Sequence, residues 1–172
     1  MTLSCMTWTG IALALGLGAS PQLSAATVVR SHFSHGTANC QSALPVFDGS
    51  IRKRPMALAN EGVTTSFVTC DSENINADAE TTGFHLVEIY FRNRSGNDGV
   101  AVSCTLVDGV DQASSFLPKQ STLMFIGGTA AVYWDSADNE DTNFGAPAIS
   151  CALPAGVDIT VVGFAYSEDV GN

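Results

Sequence analysis

Positive charge is scarce in this chain. Against 17 Asp and Glu stand 7 Lys and Arg, a net charge of −10. Nucleic acids and anionic membrane surfaces are gripped by a basic footprint, so no nucleic-acid partner is expected. The one basic cluster, Arg52-Lys53-Arg54 beside Pro55, reads as a solvated loop, with a small-anion contact as the other reading. Long apolar runs are missing as well: the run over 10–19 falls well short of the ~20 residues that span a bilayer, and no comparable run follows, so membrane insertion is not expected. No apolar period of 3.6 residues persists for three turns, so helix should be sparse. There is no Gly-x-Ser-x-Gly, the turn that presents a nucleophilic serine, and no Cys-x-x-Cys for zinc. Internal repeats and low-complexity linkers are absent too.

What is present begins with a leader. The apolar run is followed by Pro21 and then Ser24-Ala25-Ala26, which reads as a secretory signal peptide over residues 1–26, with no Lys or Arg in its n-region. Residues 27–172 then suit one domain, secreted or periplasmic. Cys5 leaves with the leader. Cys40, Cys70, Cys104 and Cys151 remain, an even number in an exported chain and hence two disulfides. Three connectivities are open; Cys40 with Cys70 and Cys104 with Cys151 is preferred because each ties positions near in the chain. Each bridge would contribute roughly 3 to 4 kcal/mol on the chain-entropy account. A zinc site on the same sulfurs is the disfavoured rival.

Between the cysteines the pattern has a period of two. Residues 84–92 put Val87, Ile89 and Phe91 on one face and Glu88 and Arg92 on the other. The polar stretch over 93–99 predicts a reversal, and residues 100–106 put Val100, Val102, Cys104 and Leu106 on a shared face, so a hairpin is expected. Further strands are predicted over 27–33, 63–70, 112–117, 121–126, 129–134, 148–153 and 157–166, with Pro118-Lys119 as a turn. Residues 34–60 read as a loop anchored by Cys40, with a short strand at Leu44, Val46 and Phe47; residues 71–82 and 135–144 read as acidic surface connections. Short strands, regular breaks and disulfides predict an all-β fold, an antiparallel β-sandwich braced by two disulfides, with a barrel as the alternative.

Few residues point to chemistry. His32, His35 and His85 are candidate metal ligands, although His-x-x-His on extended chain does not aim both rings at one ion. Asp135, Asp138, Glu140 and Asp141 form the densest oxygen-ligand cluster and a possible calcium loop that departs from the EF-hand pattern; a hydrophilic loop is the other reading, and no other cofactor is implied. Glu61, Glu88 and Asp158 are carboxylates that could converge for glycoside hydrolysis. Tyr133 and Trp134 face opposite ways in a strand, so one is expected outward as a possible sugar platform. Asn93-Arg94-Ser95 matches the glycosylation sequon.

The leader, the strands Val102-Ser103-Cys104-Thr105-Leu106 and Ile149-Ser150-Cys151-Ala152-Leu153-Pro154, and Gly36-Thr37-Ala38-Asn39-Cys40 together resemble small exported disulfide-containing bacterial proteins of unassigned function. The resemblance spans most of the mature chain and transfers no catalytic or binding residue. The sequence is therefore read as a secreted binding or structural module that recognises a glycan or protein at the cell surface. A hydrolase using paired carboxylates, and a subunit of an extracellular assembly joined by sheet-edge pairing, are the alternatives.

Overall fold

The computed structural model describes residues 27–72, 83–109 and 114–169. The stretch 1–26, expected as a leader, and most of the acidic 71–82 connection lie outside these. Among the described residues there are eleven strands: β1 (Thr27–His35), β2 (Cys40–Ser42), β3 (Ile51–Arg54), β4 (Ala57–Asn60), β5 (Ser66–Asp71), β6 (Phe84–Asn93), β7 (Val100–Asp108), β8 (Ser115–Leu123), β9 (Thr129–Asp135), β10 (Ala148–Leu153) and β11 (Val157–Asp169). One sheet has six strands in the order β3-β4-β11-β6-β9, with β1 also beside β11; the other has five in the order β2-β5-β10-β7-β8. All neighbours are antiparallel. The sheets keep free edges and do not close, so the architecture is the sandwich and not the barrel.

The expected β6–β7 hairpin does not form. β6 pairs with β11 and β9, while β7 pairs with β10 and β8. Both strands bury alternate residues, and facing each other across the core covers Val87, Ile89 and Phe91 with Val102, Cys104 and Leu106 in one step. The 94–99 segment is therefore an arch from sheet to sheet. Asn93 at its start is buried, its Nδ2 donating to the carbonyls of Asn97 (2.7 Å) and Phe125 (3.3 Å) and its Oδ1 accepting from the Ser95 backbone N–H (2.9 Å). In the folded chain the Asn93 amide is thus spent on backbone groups of the arch. The last two predicted strands, β10 and β11, likewise separate into different sheets.

Two further expectations change. Residues 34–60 carry regular structure: a helical turn α1 (Gly36–Asn39), β2, a 3-10 turn at Pro45–Phe47, and the β3–β4 hairpin, so Arg52, Lys53 and Arg54 stand on a strand. Pro118 does not turn the chain but lies within β8. That strand is a sheet edge, where a residue without an N–H breaks no ladder and blunts edge-to-edge pairing.

Cys40 bonds to Cys70 and Cys104 to Cys151, closing separations of 30 and 47 residues. Each pair stands directly opposite on neighbouring strands, with Cα atoms 4.0 and 4.1 Å apart. Both bridges point into the core and both belong to the five-stranded sheet, so they staple strands side by side and not the two layers to each other. The layers are held by apolar burial and, at the β8–β9 edge, by the Trp134 indole: Nε1 donates to the Leu117 carbonyl across the sheets at 2.8 Å. At the opposite side α1 carries the chain from β1 to β2. Gly36 permits that close crossing, since a Cβ there would lie 2.5 Å from the Ile159 carbonyl oxygen. Among the described residues no helix is long and apolar enough to cross a membrane.

Trp134→Ala is expected to cost about 3 to 5 kcal/mol through the cavity it opens. Trp134→Phe keeps most of the ring volume and leaves the Leu117 carbonyl without its donor, at about 1 to 3 kcal/mol. Urea denaturation reads both; an alanine variant within about 0.5 kcal/mol of the parent would contradict this account of the interlayer edge.

Candidate functional site

Once one face of each sheet is buried, the outward positions are fixed by parity. On the six-stranded sheet the outer residues of β1, β11, β6 and β9 line up in register as Phe33, Gly163, Glu88 and Tyr133. The row crosses three strand spacings, roughly 14 Å. Phe33 and Tyr133 are 58 % and 56 % exposed. Gly163 makes the row possible. A Cβ there would meet the Phe33 ring at 2.7 Å and the Glu88 Cγ at 2.9 Å, so the bare backbone lets Phe33 lie across β11 toward Glu88.

Glu88 holds the centre of the row. Two residues further along β6, on the same face, Tyr90 donates its Oη to Glu88 Oε2 at 2.8 Å. That bond, with burial and the Glu88 charge behind it, raises the Tyr90 phenol above its ordinary value, so it stays protonated and fixes the carboxylate in place. The result is a half-buried acceptor with an aromatic ring on either side along the row. Such rings offer flat apolar surface, and a carboxylate can accept from hydroxyls presented above it.

Of the adjacent pair Tyr133 and Trp134, only Tyr133 belongs to this face. Trp134 is fully buried and bonded to Leu117, with no ring face to offer a ligand. Tyr133 is steadied from the β8 side, where Lys119 Nζ lies 5.2 Å from its ring centroid. Lys119 is in turn held by Asp138 at 2.6 Å. Burial pushes the Asp138 carboxyl up, but the Lys119 hydrogen bond, the Asp135 backbone N–H and the Lys119 charge outweigh it and bring it below its ordinary 3.8.

The candidate calcium ligands are arranged as a cap. Asp135 accepts from the Ala137 N–H, Asp138 accepts from the Asp135 N–H, and the two close a capping box on the 3-10 turn Ser136–Asn139. Glu140 and Asp141 follow in left-handed backbone, exposed. Among the described residues no three His, Cys, Asp or Glu side chains are grouped to hold a metal ion. His32 and His35 take opposite faces of β1, as their register against Phe164 and Val161 requires, and His85 stands on β6. Of the three carboxylates, Glu61 and Asp158 line one depression, Glu61 paired with Arg54 and Asp158 with Arg92 and Arg94, while Glu88 stands apart from that depression and is bonded to Tyr90.

Phe33, Tyr90 and Gly163 were not singled out by the sequence. The available signal was Gly163 itself, a glycine inside a run of strand formers, which marks a close approach. The outer face of the other sheet holds a depression of about 440 Å³ floored by Ser103, Ser150 and Ala152 with Phe67 at its rim; Phe67 is propped by Phe47, ring centroids 5.8 Å apart. It lacks a fixed carboxylate.

No family model matches the chain, and no curated protein does. Among solved structures it is similar to the C-terminal CBM6 of LamC, a marine laminarinase from Zobellia galactanivorans, at 12 % identity over 78 % of this chain and 98 % of that one, with a TM-score of 0.47. It is also similar to TmCBM61 in complex with β-1,4-galactotriose (11 %, 81 % and 88 %, TM-score 0.38) and to the Tobacco streak virus coat protein (14 %, 88 % and 92 %, TM-score 0.40). With TM-scores below 0.5, none of them says what this chain binds.

The lowered Asp138 value has a direct consequence. A carboxyl depressed in the folded state stabilises above its unfolded pKa, and that contribution is lost as pH falls through the folded value. Wild-type protein should therefore lose more stability than Asp138→Asn between pH 6 and pH 2, when both are followed by urea midpoints. Parallel curves would mean that the Lys119 pair contributes nothing.

Proposed function

We propose that this chain is an exported, non-catalytic glycan-binding module whose ligand lies on the outer face of the six-stranded sheet, between Phe33 and Tyr133. The observation that carries the proposal is the row Phe33, Gly163, Glu88 and Tyr133: two exposed rings flanking a carboxylate that Tyr90 holds in position. A pyranose presents an apolar C–H face and a rim of hydroxyls. The rings take the first and Glu88 the second. Two disulfides suit an oxidising compartment, which agrees with the export expected from residues 1–26. Hydrolysis of a glycosidic bond uses two carboxylates across the bond, whereas this row supplies one.

Affinity electrophoresis against a panel of soluble polysaccharides tests the proposal. At least one polysaccharide should retard the protein. Phe33→Ala and Tyr133→Ala should each weaken that retention about tenfold, the effect of removing one ring's worth of buried apolar area. Both substitutions are at the surface and should leave urea stability within about 0.5 kcal/mol. Phe67→Ala, on the opposite sheet, should change nothing. Retention lost through Phe67 and indifferent to Phe33 and Tyr133 would move the site to the five-stranded sheet, and no retention by any polysaccharide would end the glycan reading.

A further inference from the structure

Three of the chain's seven basic residues, Arg54, Arg92 and Arg94, meet in one depression of about 360 Å³, shared with Pro55, Met56, Ala57, Glu61 and Asp158. It opens on the same outer face as the aromatic row: Arg92 lies on β6 four residues beyond Glu88, roughly 13 Å along the strand. At its base Asp158 is 1 % exposed. Arg94 grips it with Nε and Nη2, both at 2.6 Å, and Arg92 adds Nη2 at 2.9 Å. The arginine side chains remain 42 % and 46 % exposed, and most of their N–H donors are not spent on Asp158. The hydrogen bond to Asp158 also holds the Arg94 guanidinium above its ordinary value against the effect of burial. Arg54 stands opposite, paired with Glu61 and over half exposed. Three cations against two carboxylates leave a local positive surplus on a molecule whose total is −10.

One buried aspartate gripping two arginines is more than a brace between β11 and β6 requires. It fixes the planes of two guanidiniums while leaving their outer edges in water, the arrangement that receives an oxyanion in a fork of parallel N–H bonds. We propose that this depression is an anion subsite, and that the preferred ligand is a saccharide carrying a carboxylate or a sulfate ester a short distance from the sugar that stacks between Phe33 and Tyr133. This inference rests on the glycan reading above and narrows its substrate class. Exposed Met56 and Pro55 supply an apolar wall beside the anion. The remaining acidic surface repels polyanions at long range, so one anionic group on a short chain suits the site better than a densely charged polymer.

The test is a glycan array of short oligosaccharides that pairs each neutral backbone with its singly uronate-bearing and singly sulfated counterparts, read near physiological salt. At least one anionic form should bind about tenfold more tightly than its neutral parent, as expected for charge-assisted bonds to arginine. The uronate and sulfate arms show which oxyanion is preferred, and a preference for either supports the subsite. Arg54→Gln, which leaves the Asp158 pairs intact, should reduce the preference severalfold. Arg92→Gln should remove most of it, with thermal melting confirming that the fold survives. If backbones bind through Tyr133 with equal affinity in all three forms, the anion subsite is wrong and the glycan reading stands. If nothing on the array binds, the glycan reading itself has failed. An anionic preference untouched by Arg54→Gln and Arg92→Gln would place the anion elsewhere and overturn the assignment.

Discussion

Everything in this molecule follows from two sheets burying one face each against the other. A strand alternates its side chains, so covering the inner face with Val87, Ile89, Phe91, Val162 and Phe164 from one layer and Val102, Leu106, Ile149 and Leu153 from the other leaves the outer face fixed by parity. Phe33, Glu88 and Tyr133 are outside because their neighbours are inside. No separate interaction need hold them there.

That constraint also explains how the connections behave. Whereas β3 with β4 and β7 with β8 pair side by side, two other pairs of strands that follow one another in the chain, β6 with β7 and β10 with β11, lie in opposite sheets and bring their apolar faces together in the core. Arches result, and their polar residues turn inward to satisfy backbone groups: Asn60 donates to the Thr64 and Leu153 carbonyls, as Asn93 does to Asn97 and Phe125. Buried amides of this kind are costly unless fully bonded. The disulfides act within the layer and not across it. They lock β2 to β5 and β7 to β10, stiffening the five-stranded sheet.

On the outer face the same six-stranded sheet presents two chemistries in sequence along β6, an aromatic pair around Glu88 and an arginine pair around Asp158. Their charges are organised differently. Glu88 is half-buried and held by a neutral phenol, so its charge is not neutralised by a cation there; Asp158 is buried and held by two cations, so its charge is spent on orienting them. One face can thus offer apolar contact, an acceptor and a set of donors, with each polar group fixed by a neighbour that does not itself have to move.

Composition and period alone pointed to a strand-built fold with a sandwich as first reading, to pairing of Cys40, Cys70, Cys104 and Cys151, and to the inward residues of the longer strands, because these depend on local alternation and on cysteine number. That one of Tyr133 and Trp134 faces outward was legible for the same reason, but which of them was not. Phe33 was not, since an exposed phenylalanine gains meaning only when Gly163, 130 positions away in the numbering, brings a bare backbone beneath its ring. Nor were the roles of the carboxylates: Glu61, Glu88 and Asp158 look alike in the sequence, and it is their partners, Arg54, Tyr90 two residues along the same strand, and the Arg92–Arg94 pair, that make them different. Which strand lies beside which, and therefore which side chains share a row, is decided by long-range pairing that leaves no trace in any local window, and the candidate site is made of such rows.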